Sequence, residues 1–187
     1  REYTGAEITS EGFHIYGLDP YQYYSAGYAS YLSDVSIQQD SWAIWDNHMP
    51  ITNVKNGHII GYKYFGFGGL KKATKGLKAF KGTKRGNKTE FNLFLTPKTS
   101  KSFKVNVWLD GPWDNDTWKG KKIGEIIVPA NSKQNVTKFT VNVSKSVDKL
   151  KKKHAIFLVA EGDGSEELFD LSGLGFSSKK NKIERPI

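Results

Sequence analysis

The chain contains no cysteine. A secreted domain of this make-up therefore has no disulfide staples, and its stability must come from sheet packing or from a metal. No apolar run approaches the ~20 residues that a membrane-crossing helix needs. The four histidines, His14, His48, His58 and His154, are dispersed and follow no metal-ligand spacing. No GxSxG, GxGxxG or P-loop motif is present, which removes the common nucleophile-elbow, dinucleotide and nucleotide-phosphate signatures. Helix signals are also scarce. Ser144 to Lys153 has only Val147 and Leu150 as an apolar stripe, enough for a single turn.

What the sequence does contain points to strands. Phe103 to Leu109 alternates apolar and polar residues with period two. Phe91 to Leu95, Ile123 to Val128, Phe139 to Val143 and Ala155 to Ala160 are short β-rich runs between turn residues. His58 to Phe67 is a longer strand in which Gly61 marks a bulge or a close-packing point. This spacing predicts an all-β domain, a β-sandwich of the jelly-roll kind built from two antiparallel sheets. The division expected is a leader or linker over residues 1–25 that docks on the sandwich, the sandwich itself over 26–177, and a polar, frayed tail over 178–187.

Aromatics make up 13% of the chain, with five Trp and nine Tyr, more than a core alone requires. Amphipathic rings are the usual material of binding faces. The segment Asp110 to Gly120 leaves a strand through a Gly-Pro turn and presents Trp113 and Trp118 beside Asp114, Asn115 and Asp116. Sugars combine apolar C–H faces with rings of hydroxyls, so this mixture suits them. The competing reading is that one of the two indoles packs back under the loop. Trp108 falls on the polar phase of its strand, either as a sheet-face platform or beneath a crossing loop. Trp42 and Trp45 form a further aromatic loop with the same two readings. Asp114, Asn115 and Asp116 also have calcium-binding chemistry, although without EF-hand spacing. A carboxylate pair for glycoside hydrolysis is not selected by spacing.

The net charge of +9 suits a polyanion, or serves solubility alone. The run Lys71 to Lys88 carries eight positive residues and no acid, but Phe80 is its single aromatic. Nucleic-acid sites for single strands interleave several stacking rings, so a solvated basic face is the preferred reading.

Several landmarks follow one another in a familiar order. They are Asn53-Val-Lys-Asn-Gly57, Tyr62, Phe65-Gly-Phe-Gly68, Leu109-Asp-Gly-Pro112, Ile123-Gly to Val128-Pro129, and Leu168-Phe-Asp-Leu171 before Phe176. Together, over about residues 18–177, they resemble family 6 carbohydrate-binding modules, the calcium-containing β-sandwiches appended to plant-polysaccharide hydrolases. Leu18-Asp-Pro-Tyr21 is similar to the join between a family 43 catalytic domain and such a module. The resemblance implies a non-catalytic accessory module of an extracellular, bacterial glycoside hydrolase, secreted or at the cell surface. Its implied partners are a polysaccharide or oligosaccharide and a covalently linked catalytic domain, with no nucleic acid and no membrane. A structural module that packs on a catalytic domain without binding sugar is the alternative.

The resemblance also implies a loop-end cleft with two aromatics and an Asn. Those aromatic positions fall near Asn53 and at Gln134 to Val136, where no ring stands, and the Asn becomes Asp170. The calcium carboxylates implied on a first strand fall in Gly27 to Tyr31, which has none, and the last becomes Ser172. No cofactor is therefore expected, a structural Ca²⁺ being implied by the resemblance alone. The candidate sugar-binding residues are Trp113, Trp118, Trp108, Asp114, Asn115, Trp42, Trp45 and Asp170.

Overall fold

A computed structural model describes residues 17–33, 49–67 and 88–186, together with the backbone of 36–37. Strands dominate. They are β1 (Tyr24–Ser25), β2 (Tyr31–Leu32), β3 (Ser36–Ile37), β4 (Ile51–Val54), β5 (Ile59–Gly66), β6 (Glu90–Pro97), β7 (Phe103–Asp114), β8 (Lys119–Val128), β9 (Thr137–Asn142), β10 (Lys153–Glu161) and β11 (Phe169–Ser177). One helical turn, α1 (Ser144–Val147), falls where the narrow apolar stripe placed it. Among the described residues no helix is long and apolar enough to cross a membrane.

The strands form two antiparallel sheets. One has six strands, in the order β3-β4-β11-β6-β9 with β1 also paired to β11; the other has five, β2-β5-β10-β7-β8. This is the two-sheet β-sandwich that the alternating runs predict. On β7, Phe103, Val105, Val107 and Leu109 point inward, opposite Ile156, Leu158 and Ala160 of β10. They meet Phe91, Leu93 and Leu95 of β6 and Phe169, Leu171, Leu174 and Phe176 of β11 from the other sheet. Phe103 stacks on Phe169, with ring centroids 5.5 Å apart and planes 5° apart. Phe65, Phe67 and Phe91 all meet the ring of Phe176. Tyr62 is fully buried and donates its hydroxyl to the Ala26 carbonyl at 2.9 Å, and burial pushes its phenol well above the usual range. A buried hydroxyl needs such a partner, and the bond ties the turn after β1 into the core.

Residues 17–20 and part of the stretch after β11 lie against the sandwich. Leu18 bridges to Phe65 through backbone bonds to Tyr64 and Gly66, and the Phe176 amide donates to Pro20. The polar residues after β11 pack in part. Ser178 and Ile183 are buried, and Lys138 pairs with Glu184 at 3.0 Å.

Candidate functional site

The five-stranded sheet has an apolar outer face as well as an apolar inner one. The residues of β7 and β10 that alternate away from the core are Lys104, Asn106 and Trp108 on one strand and Ala155, Phe157 and Val159 on the other. Ile59, Ala155, Phe157 and Val159 form a second buried cluster, covered by Tyr31, Trp108 and Trp118. Register sets Tyr31, Gly61, Phe157, Trp108 and Lys122 in one row across β2, β5, β10, β7 and β8. Gly61 is where the row needs no side chain: a Cβ there would stand 2.6 Å from the Phe157 ring and 3.0 Å from Tyr31 Cβ.

The β7–β8 hairpin folds its end back over this face. The pairing register breaks between Leu109 and Asp114, and Asp110 sits in the left-handed region at φ +66°. Asp110 tolerates this conformation because its carboxylate is engaged locally. It accepts the Ala155 amide at 3.2 Å and lies 2.8 and 3.0 Å from Nδ1 of His154. Where the hairpin strands cross, a Cβ on Gly120 would stand 2.1 Å from the Gly111 carbonyl oxygen, so only glycine fits.

The fold brings together three of the tryptophans singled out from the sequence. Trp118 reaches back to Phe157 and Tyr31, edge-on to both, with centroids 5.5 and 6.2 Å away. It is half-buried and supports the face. Trp113 is exposed at 39% and stands edge-on to Trp108, which is half-buried, with centroids 6.1 Å apart. The two readings of this loop thus divide between its two indoles: one packs and one is presented. Trp108 is at once a sheet-face ring and a ring beneath the hairpin.

The polar residues of the hairpin have different roles. Asn115 Oδ1 accepts the backbone amides of Thr117 at 2.9 Å and Trp118 at 2.8 Å, which shapes the turn that aims Trp118. Asp114 is exposed and pairs through its backbone with Lys119. The His154–Asp110 pair is a site feature the sequence did not reveal, because 44 residues separate partners that only the β7–β10 register brings together.

Asp170 is elsewhere, on β11 in the other sheet. It accepts the Asn53 amide at 3.4 Å and faces Lys98 at 3.7 Å, so this end is polar. Trp42, Trp45 and residues 71–87 of the basic run lie outside the described residues.

The positions where the resemblance implies calcium carboxylates hold none. Gly27 lies in a one-turn helix over Ala26–Tyr28 and Ser172 lies on β11, and neither brings a carboxylate. At β1, the Ser25 hydroxyl donates to the Met49 carbonyl at 3.3 Å. Among the described residues no three His, Cys, Asp or Glu side chains gather as a metal group.

No protein-family model matches the chain, and no curated protein matches it. Solved structures do. A family 6 carbohydrate-binding module from Clostridium cellulolyticum, in complex with xylose, superposes with a TM-score of 0.59 at 22% identity. That match covers 86% of this chain and 99% of the other. A β-1,3-glucan-binding family 6 module from Bacillus halodurans gives 0.56 at 14% identity, covering 85% of this chain and 97% of that one. A family 43 arabinoxylan arabinofuranohydrolase from Bacillus subtilis, in complex with cellotetraose, gives 0.59 at 19% identity. There the match covers 87% of this chain and only 28% of that enzyme. The chain has the β-sandwich fold of family 6 carbohydrate-binding modules.

Proposed function

We propose that this domain is a non-catalytic carbohydrate-binding module that holds a plant-type polysaccharide against the outer face of its five-stranded sheet. The observation that carries the reading is the pair Trp113 and Trp108, one exposed and one half-buried, on a base of Trp118, Phe157 and Tyr31. A sugar ring laid on an indole replaces water with C–H contacts, and a ring already braced by its neighbours loses little freedom when it binds. His154 and Asp110 lie on one side of this aromatic band and Asn106 on the other, along the direction of β7, which supplies hydrogen-bonding groups around the apolar centre.

In this reading the domain works as an accessory module of a secreted glycoside hydrolase and keeps a linked catalytic domain near its substrate. The similarity to known modules of this fold, and to part of a larger hydrolase, supports it. In this reading binding does not depend on calcium.

A degenerate module that packs on a catalytic domain without binding sugar is the second reading, favoured by the polar partners of Asp170, Asn53 and Lys98. Titration against soluble neutral polysaccharides separates the two. Binding that weakens in Trp113→Ala and Trp108→Ala supports the glycan module, and no binding by the wild type supports the structural one.

A further inference from the structure

A polar row runs beside the aromatic one. On β7 the outward side chains Lys104, Asn106 and Trp108 follow one another at strand spacing, about 7 Å apart. Asn106 faces Val159 on one side and Glu125 on the other. It is 9% exposed, and its Oδ1 is buried with no hydrogen-bond partner. Among the described residues it is the one side-chain polar atom in that position. An acceptor hidden from water without a donor is unfavourable, and a folded protein that retains one calls for an explanation.

The residues around Asn106 indicate what it serves. Lys104 pairs with Glu161 at 3.0 Å and with Glu125 at 3.5 Å, and Lys122 pairs with the same Glu125. These four side chains are between 36% and 51% exposed, so they can part without disturbing the core. Two lysines and two glutamates sum to zero charge, and the row has no net attraction for an anion.

We infer that Asn106 is a specificity-determining residue of the glycan site proposed above, and that the site takes a neutral sugar unit. A hydroxyl of that unit donates to Asn106 Oδ1 while its ring lies against Trp108. Lys104, Lys122 and Glu125 move aside and bond to the neighbouring hydroxyls. A carboxylate offers no proton to this acceptor, so a uronate group gains nothing at this position despite the +9 charge of the chain. This inference rests on the glycan reading, and it adds a second consequence. The unpartnered acceptor weighs on the free protein alone, so removing it affects stability and binding in opposite directions.

The test is calorimetric titration of the whole chain with cellotetraose, soluble β-1,3-glucan and polygalacturonate, with thermal melts of the same samples. The variants are Asn106→Leu, Asn106→Ala and Trp113→Ala. The wild type is expected to bind a neutral glycan and Asn106→Leu to bind it at least about tenfold more weakly. Asn106→Leu is also expected to melt at least about 2 °C higher, the scale set by removing one unsatisfied buried acceptor from a domain of this size. Asn106→Ala adds no bulk and gives the same loss of binding if leucine fails to pack. Wild-type affinity in both Asn106 variants, with binding lost in Trp113→Ala, overturns this inference and leaves the glycan reading standing. No binding by the wild type to any of the three glycans overturns both. A lower melting point for Asn106→Leu, with Asn106→Ala binding normally, or a preference for polygalacturonate overturns the role given to Asn106.

Discussion

The indole of Trp113 meets that of Trp108 edge-on, with planes 66° apart and centroids separated by 6.1 Å. Trp113 lies between Leu109 and Asp114, where the pairing with β8 shifts register, and Trp108 directly follows an earlier shift on the same strand. The contact exists because the strand turns back over its own sheet. It converts a polar-phase tryptophan and a second tryptophan near the end of the same strand into one surface.

The two hairpin tryptophans should separate when mutated. Trp118→Ala removes the ring packed on Phe157 and Tyr31 and should cost about 2–4 kcal/mol, toward the lower part of the range for large aromatics because the ring is half-exposed. Trp113→Ala should change stability by less than about 1 kcal/mol and should weaken glycan binding by about tenfold or more. Urea unfolding and glycan titration on both variants check the pair. Equal destabilisation by both would remove the distinction between a support and a platform.

Gly61→Ala should destabilise the domain by about 1–3 kcal/mol, because the added methyl collides with the Phe157 ring at the centre of the aromatic row. The ring must then tilt and carry Trp118 with it. A blue shift or quenching change in tryptophan fluorescence should therefore accompany the stability loss, and unchanged melting and fluorescence would contradict the packing described.

Much of this arrangement could be read from the sequence. Strict alternation gave β7 its inward Phe103, Val105, Val107 and Leu109, and the same alternation put Trp108 on the opposite face. β11 is harder to read, because Gly173 and Gly175 interrupt its apolar pattern. A Cβ on Gly173 would lie 2.3 Å from the Tyr23 ring, and that packing against a distant segment carries no local signal. The same holds within the site. Trp118 and Tyr31 meet only because β2, β5, β10, β7 and β8 lie in that order, and the Oδ1 of Asn106 is left without a partner in the same packing.

Chelation should leave the domain nearly unchanged. The positions Gly27 to Tyr31 and Ser172 bring no carboxylate, and Ser25 bonds to the Met49 carbonyl. A saturated structural metal would contribute about 3–4 kcal/mol. Melting with EDTA and with added Ca²⁺ is expected to give the same midpoint within about 1 °C, and a large loss restored by Ca²⁺ would contradict the account.

Glu125 supplies the pH dependence of the polar row. The hydrogen bond and charge of Lys122, with Lys104 beside it, hold its carboxyl below the ordinary 4.5. A depressed carboxyl contributes stability above its unfolded pKa and loses it as the pH falls through the folded value. The melting difference between wild type and Glu125→Gln should be constant from neutrality to about pH 5.5 and shrink in more acid solution. Solvent screening keeps it under about 1 kcal/mol. A difference that grows as the pH falls would contradict the ion-pair geometry.

The most direct measurement is the tryptophan fluorescence of the wild type and Trp113→Ala during titration with soluble neutral glycans. A ring taking up a sugar changes its own emission, so the account predicts a saturable change in the wild type that is lost or much reduced in Trp113→Ala. A wild type whose fluorescence and heat stay flat against every neutral glycan, or a Trp113→Ala variant that binds with unaltered affinity, would contradict it.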